Sequence, residues 1–326
     1  MTPSSRSKLL AQISSVIRKN KTFFLSGHRK PDGDTVASEL AMASLLKRLG
    51  KKVEIWNAEP VPKTLLFLPG AGAIKSSPKV NKTYDAAIIF ECVNADRMGN
   101  IIDLKTQAKT VINIDHHLQH GDFGHINLVD VTASSNSEQL VYLFEKMKMP
   151  LTPNEANALY TGLIADTGRF QHSNTTADTF RIAVKLLEAG ALPHIISEKL
   201  FTTRSHSSLK LLGWGLTNLK TLKNNKIAYL AVSQKDFDRL GSNEEELEDI
   251  VNYGLQIPTV LISILVRQPQ SGADIKVSLR SRRGVSACKI AMAFGGGGHK
   301  YAAGCKIRGS LDEALNKLLT SAQAQV

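Results

Sequence analysis

Several short stretches of the chain crowd together side chains that bind cations. "GHRKPDGDT" holds His28, Asp32 and Asp34, and "FECVNADRMG" holds Glu91. "NIDHHLQH" sets Asp115, His116 and His117 side by side behind an apolar run, and "GLIADTGRFQHSNTT" holds Asp166. Each has an ordinary reading. An Asp before a helix caps it, a Glu can end a strand in solvent, and an Asp-His pair can be satisfied in a core. Taken together they supply imidazole and hard carboxylate oxygens, which suit manganese or magnesium better than a thiolate-rich zinc site. The set is large enough for two ions sharing one carboxylate. Two ions about 3.5–4 Å apart can clamp the attacking and leaving oxygens of a phosphoryl displacement.

The elements around these residues must bring them together. "TFFLSGH" (22–28), "KVEIWNA" (52–58), "AAIIFEC" (86–92) and "TVINIDHH" (110–117) read as buried strands. Between and after them, 35–50, 135–148, a segment starting at Thr152 with Glu155 at capping-box spacing, and 177–190 read as helices. Alternating strands and helices imply a mostly parallel, helix-covered α/β sheet. Ligands of such sheets bind beyond the carboxyl ends of the strands, where His28, Glu91 and the 115–117 triplet all fall. A breaker-rich connector follows. The second half offers strands at 226–233, 259–268 and 274–281, with helices near 244–254, 286–294 and 310–323, a smaller α/β domain. The expected organisation is 1–190 as the metal-binding catalytic domain, 191–210 as linker and 211–326 as the second domain.

In that second half, "KVSLRS" carries Arg280 and Ser281. "FGGGGHK" carries Gly296, Gly297 and Gly298 ahead of His299. Four glycines alone suggest a flexible turn. Followed by His299 and Lys300, they can form a loop whose N–H groups cup an anion. Arg280 would add a planar fork for phosphate.

The whole composition bounds the function. The chain has 326 residues, a formal net charge of +12 and a pI near 9.5. Such a charge attracts phosphates. No long Lys/Arg run marks a tail for long duplexes, so a small anionic ligand is expected. Cys92, Cys288 and Cys305 are odd in number and lack CxxC spacing, which fits small core residues in a reducing compartment. The longest strongly apolar run, "VLISILV" at 260–266, is too short to span a bilayer. Leu9, Leu10, Ile13, Val16 and Ile17 fit one helix face rather than a signal peptide. A cytoplasmic protein is expected.

These motifs, in this order, resemble the DHH phosphoesterase superfamily, and "KVSLRS" with "FGGGGHKYAAGC" resembles the DHH-associated C-terminal domain. The combination is most similar to the bacterial nanoRNase and 3'-phosphoadenosine 5'-phosphate phosphatase branch, over roughly residues 10–320. The resemblance implies Mn²⁺ as cofactor, two ions, with Mg²⁺ or Co²⁺ as substitutes. His28 and Asp32 would hold one ion, and Asp34, His116 and Asp166 the other. Glu91 stands where the family has a bridging aspartate. Asp115, His116 and His117 would be the catalytic group, with Asp115 orienting an imidazole or a water and His117 facing the substrate phosphate. Arg280, Ser281, Gly296, Gly297, Gly298 and His299 would form the substrate wall of an interdomain cleft. Two departures stand out: Glu for Asp at 91, and His120 where the family often has Asn.

The implied activity is hydrolysis of short single-stranded RNA to mononucleotides, of 3'-phosphoadenosine 5'-phosphate to AMP, or both. The alternatives are a linear or cyclic dinucleotide phosphodiesterase and a nucleotide-binding module weakened at Glu91. The glycine loop disfavours a family II pyrophosphatase, and the chain lacks the extra domain expected of a RecJ-like exonuclease. Expected partners are short RNA or a small nucleotide, and a second copy of the chain in a homodimer, with no membrane.

Overall fold

The computed structural model describes residues 1–77, 79–117, 121–247, 250–269 and 274–326, with the side chains of Glu245 and His299 left aside. The chain divides into two compact units, Met1–Thr203 and Arg204–Val326.

The first unit is built on a six-stranded, wholly parallel sheet. Its strands are β1 (Thr22–Ser26), β2 (Lys52–Asn57), β3 (Lys75–Ser76), β4 (Tyr84–Phe90), β5 (Ala108–Asp115) and β6 (Ile126–Val129). Their spatial order is β3-β2-β1-β4-β5-β6. The chain therefore starts at the middle, runs to one edge, and returns to build the other half. The order reverses between β1 and β4, the position at which such sheets leave a crevice for ligands.

The helices of this unit are α1 (Pro3–Lys19), α2 (Gly33–Arg48), the single turn α3 (Leu104–Gln107), α4 (Asn136–Met147), α5 (Pro153–Asp166), α6 (Ala177–Glu188) and α7 (Pro193–Ser197). Helices α1, α2, α4, α5 and α6 share one core with the sheet, in which Ile13, Ile17, Leu45, Leu46, Ile88, Leu140, Phe144 and Leu163 are buried. The opposite face is covered by irregular chain and α3, with Phe24, Ile89, Met98, Ile101 and Ile102 packed together. Helix ends follow local chemistry. Thr152 and Glu155 form the reciprocal capping box expected at the start of α5. Gly50 takes φ +72° just beyond α2.

The second unit carries α8 (His206–Thr217), β7 (Lys220–Leu222), β8 (Ile227–Val232), α9 (Gln234–Leu240), α10 (Ile250–Gly254), β9 (Ile262–Arg267), β10 (Asp274–Ser281), α11 (Ala287–Met292), β11 (Gly297–His299), β12 (Ala302–Arg308) and α12 (Leu311–Gln323). Its sheet runs β11-β12-β10-β9-β8-β7, with only β8 and β9 parallel. Helices α11 and α12 cover one face, and α8, α9 and α10 cover part of the other. The single helix expected at 244–254 is interrupted. Residues Glu244–Leu247 form a 3₁₀ turn, in which Glu244 pairs with Lys276 and Glu246 accepts from Ser205 and Ser207, and Ile250–Gly254 is α-helical, with 248 and 249 outside the described residues.

Among the described residues, no helix is long and apolar enough to cross a membrane.

Candidate metal centre

The residues singled out in the first unit converge at the β1/β4 switch point. His28 lies just beyond β1, Glu91 directly after β4, and Asp115 is the last residue of β5, with His116 and His117 next. Asp32 caps α2 and Asp34 lies in its first turn, rather than in the preceding loop. Asp166 is the last residue of α5. Ligand atoms of Asp34, Glu91, His116 and Asp166 all lie within 4.8 Å of one another, and so do those of His28, Asp32 and Glu91. Glu91 belongs to both groups.

Glu91 reaches this place through an unusual backbone. Its φ is +56°, left-handed for a bulky residue, while its N–H still donates to Ile114 O at 3.0 Å. The strand ladder is kept and the side chain is redirected. Thr35 Oγ1 donates to Glu91 Oε2 at 2.6 Å, whereas Oε1 is buried without a hydrogen-bond partner. His116 Nε2 lies 2.9 Å from Asp166 Oδ2 and 3.3 Å from Glu91 Oε1. Neither contact has hydrogen-bond geometry, and the nitrogen is also an orphan. On the other side, His28 Nε2 lies 3.4 Å from Asp32 Oδ2 and 3.5 Å from Glu91 Oε2. Asp32 Oδ1 meanwhile accepts the Thr35 N–H at 3.0 Å, so one carboxylate both caps the helix and faces the cluster.

Such crowding has an electrostatic signature. Burial and the Glu91 carboxylate push Asp34 well above the usual carboxylate range. Burial also pushes Asp166 to about 6, against the pull of His116. Burial alone would lower His116, but Asp166 and Glu91 override it and push it up to about 12. Asp32 and Glu91 likewise raise His28 to about 10. Like charges so close are costly together. Divalent cations would relieve that cost and occupy the orphaned Glu91 Oε1 and His116 Nε2. With oxygen and imidazole donors only, the set fits a hard or borderline ion.

Sequence reasoning missed the residues that hold the ligands. Asp34 receives Asn136 N at 2.5 Å, Ser137 N at 2.9 Å and Ser137 Oγ at 2.5 Å, all from the start of α4, a favourable end for an anion. Gly162, inside α5, lets that helix press against Asp34 and Ser137. The isolated glycine within a helical pattern was the available signal. Asn174 Nδ2 donates to the carbonyls of Ser134 and Asp166, tying α5 to the segment before α4.

Asp115 stands outside both groups. Its Oδ1 accepts the N–H groups of His116 and His117 and pairs with His117 Nδ1 at 2.7 Å. This partner raises the His117 imidazole, whereas the His117 ring and the two N–H groups hold the buried Asp115 below its ordinary range. His120 lies outside the described residues.

In the second unit, Arg280 is half-buried on β10, and Nη1 donates to Leu279 O. Ser281 does not share its face. Successive strand residues point to opposite sides, so Ser281 turns inward, donates to Val285 O at 2.9 Å and accepts the Ala287 N–H at 3.2 Å. The glycine run is not a loop throughout. Gly297, Gly298 and His299 pair as β11 with Gly304, Ala303 and Ala302. A side chain at Gly296 would strike Gly304 O and Cys305 Cβ, which explains a glycine there by strand contact. The side chain of His299 is outside the description.

Residues 22–163 match the DHH family, N-terminal domain, and residues 224–326 match the DHHA1 domain. The chain is 31% identical over 304 residues to a protein of Thermus thermophilus named bifunctional oligoribonuclease and PAP phosphatase NrnA, covering 93% of this chain and 90% of that one. A Bacillus subtilis protein of the same name is 26% identical, with 90% and 91% covered. Among solved structures, an exopolyphosphatase-related protein from Bacteroides fragilis superposes with a TM-score of 0.91 at 25% identity, over 97% of this chain and 96% of the other. RecJ of Thermus thermophilus, solved with Mn²⁺, shares the fold with a TM-score of 0.55 at 16% identity, over 99% of this chain and 55% of that one. On these matches the chain belongs to the DHH phosphoesterase family, with a DHH domain followed by a DHHA1 domain.

Proposed function

We propose that the protein is a two-metal phosphoesterase that hydrolyses short RNA oligonucleotides to mononucleotides and 3'-phosphoadenosine 5'-phosphate to AMP, with Mn²⁺ as its ion. The observation that carries this reading is the sharing of Glu91 between two ligand groups, with one oxygen orphaned. His28, Asp32 and Glu91 would hold one ion; Asp34, Glu91, His116 and Asp166 the other. When bound, the ions supply Lewis-acid stabilisation of charge developing on the phosphoryl oxygens and activate water.

The chain's own residues set the geometry. The start of α4 fixes Asp34, Thr35 fixes Glu91, and Asp115 fixes His117 through Nδ1, so the other ring nitrogen is the one to meet a phosphate oxygen. Arg280, with the glycines and His299, would bind substrate phosphate on the second unit. The relatives' names support the substrate class. Free cysteines support a reducing, cytoplasmic setting. The test is a panel with added Mn²⁺: 3'-phosphoadenosine 5'-phosphate, di- to pentanucleotide RNA, and linear and cyclic dinucleotides. Release of mononucleotide and AMP is expected. Turnover of dinucleotides alone would replace the reading with a dinucleotide phosphodiesterase, and no turnover would leave a binding module.

A further inference from the structure

A cavity of about 470 Å³ opens in the first unit, towards the far ends of the two helices that carry Asp34 and Asp166. That size lies within the roughly 300–1,000 Å³ of small-molecule sites. Its floor is apolar: Leu40 and Ala43 of α2, Val53 and Ile55 of β2, and Ala158 of α5. Strands of a helix-covered parallel sheet are normally buried on that face, yet Val53 and Ile55 are only half-buried, with the cavity against them. The lip includes Gly70 and Ala73. Gly70 takes φ +94°, and a Cβ on it would come within 3.3 Å of Leu40 Cδ2. Ser44, on the wall, is about 15 Å along α2 from Asp34, so the cavity is separate from the metal centre.

Two polar features face this floor. The first is an open strand edge. Lys52 N–H donates towards β1, to Lys21 O, whereas Asn57 O accepts from Ser77 on the other side. Alternation therefore turns the N–H and C=O of Val53 to the outer edge, where β3 pairs only from Trp56 onward. Adenine offers a matching pair, the N6–H donor beside the N7 acceptor. The second feature is Lys47. Its neighbours are committed: Arg48 and Ser44 close on Glu155 at 2.8 and 2.7 Å, and Glu54 takes Lys82 at 2.8 Å and Lys75 at 3.6 Å. Lys47 is exposed on the cavity wall with no carboxylate partner among the described residues. Its place in the last turn of α2 suits the helix dipole, a role that leaves its three donors available.

We propose that this cavity is a binding site for an adenine nucleoside monophosphate, apart from catalysis. The base lies on the apolar floor with its edge on the Val53 backbone, and the phosphate meets Lys47. A flat apolar body with one anionic end is what the lining fits, since the remaining charges on the wall are already paired.

The test is equilibrium dialysis of AMP against the full chain with Mn²⁺, in wild type, K47Q, K47R and A73W. Both positions are exposed, so the variants should fold, which thermal melts verify. Wild type should hold two AMP per chain, one at the metal centre and one here. K47Q should weaken the second about tenfold, the loss of one charge-assisted hydrogen bond, and K47R should restore it. A73W, which sets an indole at the lip, should abolish it. Adenosine should bind the cavity about tenfold more weakly than AMP, and equally in wild type and K47Q. No bound AMP, or the same stoichiometry and affinity in wild type, K47Q and A73W, would overturn the site. Loss in A73W with K47Q equal to wild type would overturn the nucleotide assignment. If the proposed function fails and AMP does not bind at the metals, wild type holds one AMP, and its loss in A73W still supports the cavity.

Discussion

Gly162 of α5 lies so close to Asp34 of α2 that a methyl group on it would collide with Asp34 Oδ1 and Ser137 Oγ. The position of a candidate ligand therefore depends on a hydrogen atom one helix away. Gly162→Ala should cost about 1–3 kcal/mol through overpacking and should displace Asp34. Thermal melts with and without Mn²⁺, together with metal stoichiometry, check this. Full stoichiometry at wild-type affinity would show that the packing yields without moving the carboxylate.

Glu91 is the hinge of the two-ion reading. Glu91→Gln keeps the shape but removes the charge, and should lose at least one ion and about a hundredfold or more in turnover. Glu91→Asp should retain both ions to a degree, since Asp tolerates the left-handed backbone seen at φ +56°. A Gln variant equal to wild type in stoichiometry and rate would remove Glu91 from the ligand set.

Chelation should abolish turnover, and Mn²⁺ should restore it better than Zn²⁺. His116→Ala and Asp166→Ala should each lower kcat by several orders of magnitude. The carboxylates hold His28 and His116 protonated in the ion-free chain, with values near 10 and 12. A ligating imidazole must be neutral, so ion uptake should release protons and tighten as pH rises. Calorimetry in buffers of different ionisation enthalpy reads that release directly, and a buffer-independent heat would contradict it.

If Arg280 binds substrate phosphate as proposed, Arg280→Ala should raise KM for short RNA while metal stoichiometry stays normal. Loss of metal in this variant would show that the residue has another task.

Glu39 gives a pH test independent of catalysis. It is fully buried, accepts a hydrogen bond from Asn57 at 3.0 Å, and burial pushes it to about 8. An unfolded glutamate titrates near 4.3. Below that pH both states hold the proton. Between it and about 8 the folded chain keeps a proton that the unfolded chain has released, so stability falls as pH rises. In chelator, Glu39→Gln should therefore melt higher than wild type at pH 9, with the gap narrowing towards pH 5. A gap independent of pH would mean that Glu39 is ionised throughout.

Much of the first unit was legible because its signals are local. Strand ends, caps and the Asp115-His116-His117 triplet sit in short periodic stretches, and the parallel-sheet pattern placed them at one edge. Asn136 and Ser137 were not legible, because they act on Asp34 across more than a hundred residues of chain, and Gly162 showed only as an isolated glycine in a helical pattern, with nothing local to name Asp34 as its neighbour. In the second unit, Ser281 was grouped with Arg280 as a substrate-binding residue because they are adjacent in one motif, whereas strand alternation puts the two on opposite faces of β10. The glycine run was read by composition, and its pairing partner, β12, carried no strong apolar run to announce a strand.

The strand order has a consequence for how the protein is made. Central β1 is synthesised early, and β2 pairs with one of its edges after a single helix. Its other edge waits for β4, whose first residue is Tyr84, and β5 and β6 come later still. On the ribosome, a half-sheet with Phe23, Phe24 and Leu25 on its open strand is thus exposed until some thirty further residues emerge, at about 5–20 residues per second. An open apolar edge is a template for pairing with another chain. Nascent chains stalled before β4 should be the ones that aggregate or recruit chaperones.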